Sequence, residues 1–210
     1  MLTTLIELFE KGNILGALRL LFDNRDVDSY QVALDKYAEM AETLHGLGFK
    51  VMVVTIPIVL DDILDGDSMI QDVMNIPVDQ VPWDEFSFMA YTTTFSRLLR
   101  TELSSNLVYS YGRDAVKACG EKAAIDLGVI GHAGMVEGEG MTDVEEIRAQ
   151  VGAAKEAGLT RIHAYSLDGI VHLDEQDAWY EAFQAPQRPA DKEPLVRLFR
   201  FALKTLDRVL

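Results

Sequence analysis

Four short runs rich in β-branched and aromatic residues, KVMVVTIP, EFSFMAYT, AAIDLGVIG and RIHAYSLDGI, begin near Lys50, Glu85, Ala123 and Arg161. The intervals between them are 35, 38 and 38 residues. Each interval holds one strand and enough chain for a returning helix. Parallel neighbours need such a crossover, so this spacing predicts consecutive βα units and a parallel sheet. The chain has 210 residues, 49% of them hydrophobic and 25% charged, enough for one domain with a substantial core.

The rest of the chain fits that frame. Residues 1–28 predict an N-terminal helical segment of two short helices, with Leu2, Leu5, Ile6 and Phe9, then Ile14, Leu18, Leu21 and Phe22, at helical spacing. Residues 29–172 predict the four βα units, opened by a helix over 29–47 and including a long acidic loop after the first strand. Thr142 and Glu145 have capping-box spacing at the start of a helix that stops at Gly158. Residues 173–210 predict two closing helices. On the last one Arg197, Arg200, Lys204 and Arg208 form a basic stripe, read as a solvated face opposite Leu195, Leu198, Phe199, Ala202 and Leu206.

Parallel βα units close into a barrel or spread into an open doubly wound sheet. Side-chain parity separates the two. Phe86, Phe88 and Ala90 alternate with Glu85, Ser87, Met89 and Tyr91; Ile125, Leu127 and Val129 alternate with Ala124, Asp126 and Gly128; Ile162 and Ala164 alternate with His163 and Tyr165. Each strand has one apolar face and one face of small, polar and aromatic groups. A sheet covered on both sides favours apolar residues on both faces, whereas a barrel interior turns polar towards its catalytic mouth. The expected fold is therefore α/β, with parallel units of TIM-barrel type. Four strands make a partial or half barrel. Such a half, with Val53, Thr55, Met89 and Tyr91 facing inward, is expected to pair into a homodimer or to need a missing N-terminal half barrel.

Charge and cysteine content narrow the chemistry. Nineteen Lys and Arg against 34 Asp and Glu give a net charge of −15, which repels nucleic acid and anionic membranes. No apolar run approaches the length of a membrane span. Cys119 is the sole cysteine, so neither an intrachain disulfide nor a Cys-rich metal site is possible. MLTTLIELFEK lacks a basic start and does not read as a secretion signal, and the compartment stays open. GHAGMVEGEG lacks the Lys-Ser/Thr ending of a phosphate loop, and Glu137 and Glu139 would repel an anion. No cofactor is expected. The cluster Asp61, Asp62, Asp65 and Asp67 suits either a hard cation or a solvated loop with a helix cap, the second being the plainer reading. His132 and His163 have no matching ligand spacing and read as structural.

Barrel active sites lie at the C-terminal ends of the strands. Those ends carry Asp61 and Asp62, then Tyr91 to Thr94, then Gly131 and His132, then Tyr165, Ser166 and Asp168. Carboxylates and aromatic rings are the inventory of a carbohydrate site: rings stack on sugar faces, and carboxylates accept hydroxyl hydrogen bonds or act as acid and base.

FSFMAYT resembles the sixth strand of chitinase-like, family 18 glycoside hydrolases, whose pattern is Met-x-Tyr-Asp. HAYSLDG resembles their eighth strand, where an aromatic residue, usually Trp, floors the sugar subsite. KVMVVTIP and AAIDLGVIG are then similar to strands five and seven, over roughly residues 30–172. The resemblance implies that Met89 and Tyr91 line the catalytic subsite and that Tyr165 stands for the floor Trp. Two features depart from the family. Thr92 stands where an Asp is expected, and the Asp-x-x-Asp-x-Asp-x-Glu motif of strand four is absent.

The resulting expectation is a glycoside-hydrolase-like barrel protein with a carbohydrate ligand. Asp126 and Tyr91 are the catalytic candidates, and Tyr165, Met89, Asp61, Asp62, Asp168 and His132 the substrate-binding ones. The alternatives are a non-catalytic carbohydrate-binding or scaffold protein on the same fold, and a barrel enzyme using a metal held by the acidic loop. Parity adds that Asp126 and His163 share a face on adjacent strands and should pair.

Overall fold

The computed structural model describes residues 16, 20, 27–99, 103–131 and 140–209. The proposed helices of residues 1–26 and the candidate His132 lie outside them, apart from the two helical residues Gly16 and Leu20. Among the described residues the chain is a mixed α/β fold around one four-stranded, all-parallel sheet: β1 (Met52–Thr55), β2 (Glu85–Met89), β3 (Ala123–Gly128) and β4 (Ile162–Tyr165). The order across the sheet is β1-β2-β3-β4. A doubly wound sheet reverses direction from its first strand, and no such reversal occurs among these four. Right-handed crossovers to the next strand each time send their helices to the same side of the sheet.

The helices are α1 (Val27–Gly46), α2 (Leu60–Asp65), α3 (Met69–Met74), α4 (Thr92–Leu99), α5 (Ser105–Cys119), α6 (Val144–Glu156), α7 (Leu167–Val171), α8 (Gln176–Ala182) and α9 (Pro194–Val209). Within the long acidic loop, the short helix expected near Ser68–Met74 is present as α3, and α2 is a second short helix that the sequence reading did not place. The cap of α6 is Asp143, whose carboxylate accepts from Glu145 N at 2.9 Å, one residue after the Thr142 expected from the capping-box spacing.

Strand register sorts the side chains. Phe86, Phe88, Ile125, Leu127, Ile162 and Ala164 share one face with Val53 and Thr55. That face joins Leu107, Tyr111, Ile147 and Val151 from α5 and α6 in the main core, where burying each large apolar side chain contributes about 1.5–3 kcal/mol. Parity is as read for β2, β3 and β4. For β1 it is the reverse: Val53 pairs with Phe86 and Thr55 with Phe88, so both point to the helices, and Met52 and Val54 share the face of Met89. The other face carries Glu85, Ser87, Ala124, Asp126, His163 and Tyr165, with Met52, Val54 and Tyr165 each more than 40% exposed.

The basic stripe of α9 also differs from its reading. Arg200 is only 5% exposed, whereas Leu195 and Leu198 are exposed. The guanidinium hydrogen-bonds Asp114 of α5 and Asp61 of α2, at 3.3 Å for the latter, and lies over the Tyr111 ring. Two buried carboxylates outweigh the ordinary preference of arginine for water, because a buried charge requires a partner. Among the described residues no helix is long and apolar enough to cross a membrane.

Candidate functional site

β3 is buried on both faces along its whole length, so a carboxyl on it is withdrawn from water. Asp126 is that carboxyl, 8% exposed, near the C-terminal end. Its register partners are Met89 on β2 and His163 on β4. Tyr91, just beyond β2, donates its hydroxyl to Asp126 Oδ2 at 3.0 Å. Asp126 Oδ1 is buried without a hydrogen-bond partner. Burial raises the Asp126 pKa above the ordinary carboxylate value; the Tyr91 hydrogen bond and the neighbouring His163 pull it down by less. Burial and the adjacent Asp126 charge push the Tyr91 phenol well up, so Tyr91 is a donor at any physiological pH.

The Tyr91 ring stacks on Tyr165, with centroids 5.8 Å apart and planes 27° from parallel. Tyr165 ends β4 opposite Gly128, and close backbone contact sets its place. A Cβ on Gly128 would lie 2.5 Å from the Tyr165 carbonyl oxygen, so only glycine lets the strands meet this way. The peptides Gly128–Val129 and Tyr165–Ser166 are both cis. Thr93, in the first turn of α4, ties down the end of β3: its hydroxyl accepts from Val129 N at 3.1 Å. Thr92 is fully buried and accepts from Gln150 at 2.8 Å. It presents no acid to this face.

The same face holds a polar network around His163. His163 Nδ1 is 3.1 Å from Ser87 Oγ, and Nε2 is 3.1 Å from Glu85 Oε1, whose other oxygen meets Arg161 at 3.2 Å. Alternation had put Glu85, Ser87 and His163 on one face; their mutual bonding follows from strand order. Asp126 and His163 do share a face and a register. Their hydrogen bonds go elsewhere, to Tyr91 and to Ser87 and Glu85 respectively.

The structure therefore brings together Asp126, Tyr91, Tyr165 and Met89. It does not bring Asp61 or Asp62 to them. Asp61 pairs with Arg200 and Lys204 in the helical layer, beside a cleft of about 160 Å³ also lined by Asp65, Asp114 and Lys117. Asp62 accepts from Ile70 N at 3.1 Å and Gln71 N at 2.8 Å and so holds the first turn of α3. Asp67 accepts from Met69 N. Asp61, Asp62 and Asp67 are thus turned to separate partners, and among the described residues no group of three or more His, Cys, Asp and Glu side chains is placed to hold a metal ion. Asp168 is exposed in the first turn of α7, where its backbone carbonyl accepts from His172.

Comparison with protein-family models, curated proteins and solved structures finds no match to this chain.

Proposed function

We propose that the open sheet face at the C-terminal ends of β2, β3 and β4 binds a neutral oligosaccharide. In this reading the four βα units form a half barrel related to the chitinase-like hydrolases, completed by a second copy or by another segment. The observation that carries it is the Tyr91–Tyr165 stack beside a buried carboxyl with one unpartnered oxygen. An exposed aromatic ring offers a sugar its apolar face, and the buried Asp126 carboxyl beneath fixes the Tyr91 ring on which Tyr165 stacks. Hydrolysis of a glycosidic bond draws on two carboxyl groups flanking the bond. Glu85 is committed to His163 and Arg161, and Asp168 lies on an exposed helical turn. Binding without turnover is therefore the favoured form of the proposal. The raised pKa of Asp126 supports the second form, in which Asp126 is the general acid and the other half supplies its partner.

Calorimetric titration with a panel of β-linked glucose and N-acetylglucosamine oligomers tests the reading. Wild type is expected to bind at least one, and Tyr165→Ala to lose roughly 1–3 kcal/mol of that affinity. No binding across the panel, or binding untouched by Tyr165→Ala, would overturn it. Release of reducing ends that Asp126→Asn abolishes would select the hydrolytic form.

A further inference from the structure

We infer that His163 is a positioning residue for this site: held by Ser87 and Glu85 against the sheet, and the register neighbour of Asp126, it governs the protonation of that carboxyl. The geometry is specific. Ser87 is on β2 and His163 on β4, two strands apart, so their 3.1 Å contact spans β3. It passes over Ala124, the register partner of Ser87, whose single methyl leaves the imidazole room to lie across the strand. Glu85 fixes the other ring nitrogen and is itself fixed by Arg161. Both ring nitrogens are therefore occupied by groups other than Asp126, yet register puts His163 next to Asp126 on the same face. Neighbouring strands run about 4.8 Å apart, close enough for a protonated imidazole, itself partly exposed, to act on the buried carboxylate. Among the described residues, the titratable groups sharing the face of Asp126 are Tyr91 and Glu85 from β2 and its end, and His163 and Tyr165 from β4, with Arg161 beyond Glu85.

A residue that merely braced the sheet would leave the titration of Asp126 unchanged. A governing imidazole moves it, and a cation in its place moves it back. The consequence for ligand binding rests on the saccharide reading: affinity through Asp126 should change with pH in step with that carboxyl.

The test follows the Asp126 carboxyl by ¹³C NMR from acid to neutral pH in the full chain without ligand. His163→Gln is expected to raise the midpoint by about half to one pH unit, because the cation that favours the carboxylate is gone. His163→Lys is expected to return it towards wild type. Circular dichroism establishes folding first; should the glutamine variant not fold, His163→Asn and His163→Met replace it, since any neutral side chain must give the same rise. A midpoint within about 0.2 units of wild type in the neutral variants would overturn the inference. The two proposals part cleanly. A blank saccharide panel with the rise intact sinks the ligand reading alone, and saccharide binding with an unmoved midpoint sinks this inference alone.

Discussion

The guanidinium carbon of Arg200 lies 3.9 Å from the ring centroid of Tyr111, an arginine on the last helix stacked on a fully buried tyrosine of α5. One of its nitrogens, Nη2, reaches both Asp114 and Asp61, and Lys204 lies 3.2 Å from Asp114 and 3.6 Å from Asp61. Together they fasten α9 to α2 and α5. Arg200→Ala would leave two buried carboxylates with only the half-exposed Lys204 between them. The expected loss is about 3–5 kcal/mol, the range for removing one partner of a buried pair. Urea unfolding measures it; a loss below about 1 kcal/mol would show that α9 is held by Val196 and Phe199 instead.

Tyr91→Phe removes the donor to Asp126 Oδ2 and leaves both carboxyl oxygens buried without a partner. The cost at neutral pH should be about 1–3 kcal/mol. Because the folded pKa of Asp126 is already raised, its ionisation opposes folding: its contribution is complete below the unfolded value and is lost as pH rises through the folded one. Losing the phenol raises that folded value further. The gap between wild type and Tyr91→Phe should therefore widen from pH 4 to pH 7.5, and a constant gap in unfolding curves would count against the assignment.

Asp62 is fully buried, and burial outweighs its two backbone hydrogen bonds, pushing its pKa up to about 6. The sign matches that of Asp126. Stability from the protonated form is whole below about pH 4 and declines as pH rises towards 6. A shift of this size is worth about 3 kcal/mol. Wild type should lose about that much relative to Asp62→Asn between pH 4 and pH 7. Parallel stability profiles for the two proteins would show that the backbone N–H groups of Ile70 and Gln71 keep the carboxylate ionised.

Gly128→Ala places a methyl 2.5 Å from the Tyr165 carbonyl oxygen, a backbone atom that cannot swing aside. The ends of β3 and β4 must separate, which costs roughly 1–3 kcal/mol, as overpacking does. The Tyr91–Tyr165 stack should loosen with them. Near-ultraviolet circular dichroism of the tyrosines reads that change, and an unaltered spectrum would mean the stack tolerates the added methyl.

The sequence by itself determined the strands, their parallel βα order and, for three of the four, which side chains share a face. Strand periodicity is local, set by the pleat and by the need to bury alternate residues, so EFSFMAYT and AAIDLGVIG carry it in plain view. It also singled out Tyr91, Asp126 and Tyr165, because strand ends follow from strand positions. β1 misled, since its one polar side chain, Thr55, is buried on the helix-facing side, while the apolar Met52 and Val54 are exposed on the other. What only the tertiary structure decided was pairing. The carboxylates of Asp61 and Asp62 went to Arg200 and to the first turn of α3, and Asp126 and His163, neighbours in register, took other partners. Arg200 turned inward although its helix pattern placed it in water. A charge pairs with whichever opposite charge or donor the chain brings within reach, 139 residues away for Asp61 and Arg200, and no spacing along the sequence records that distance.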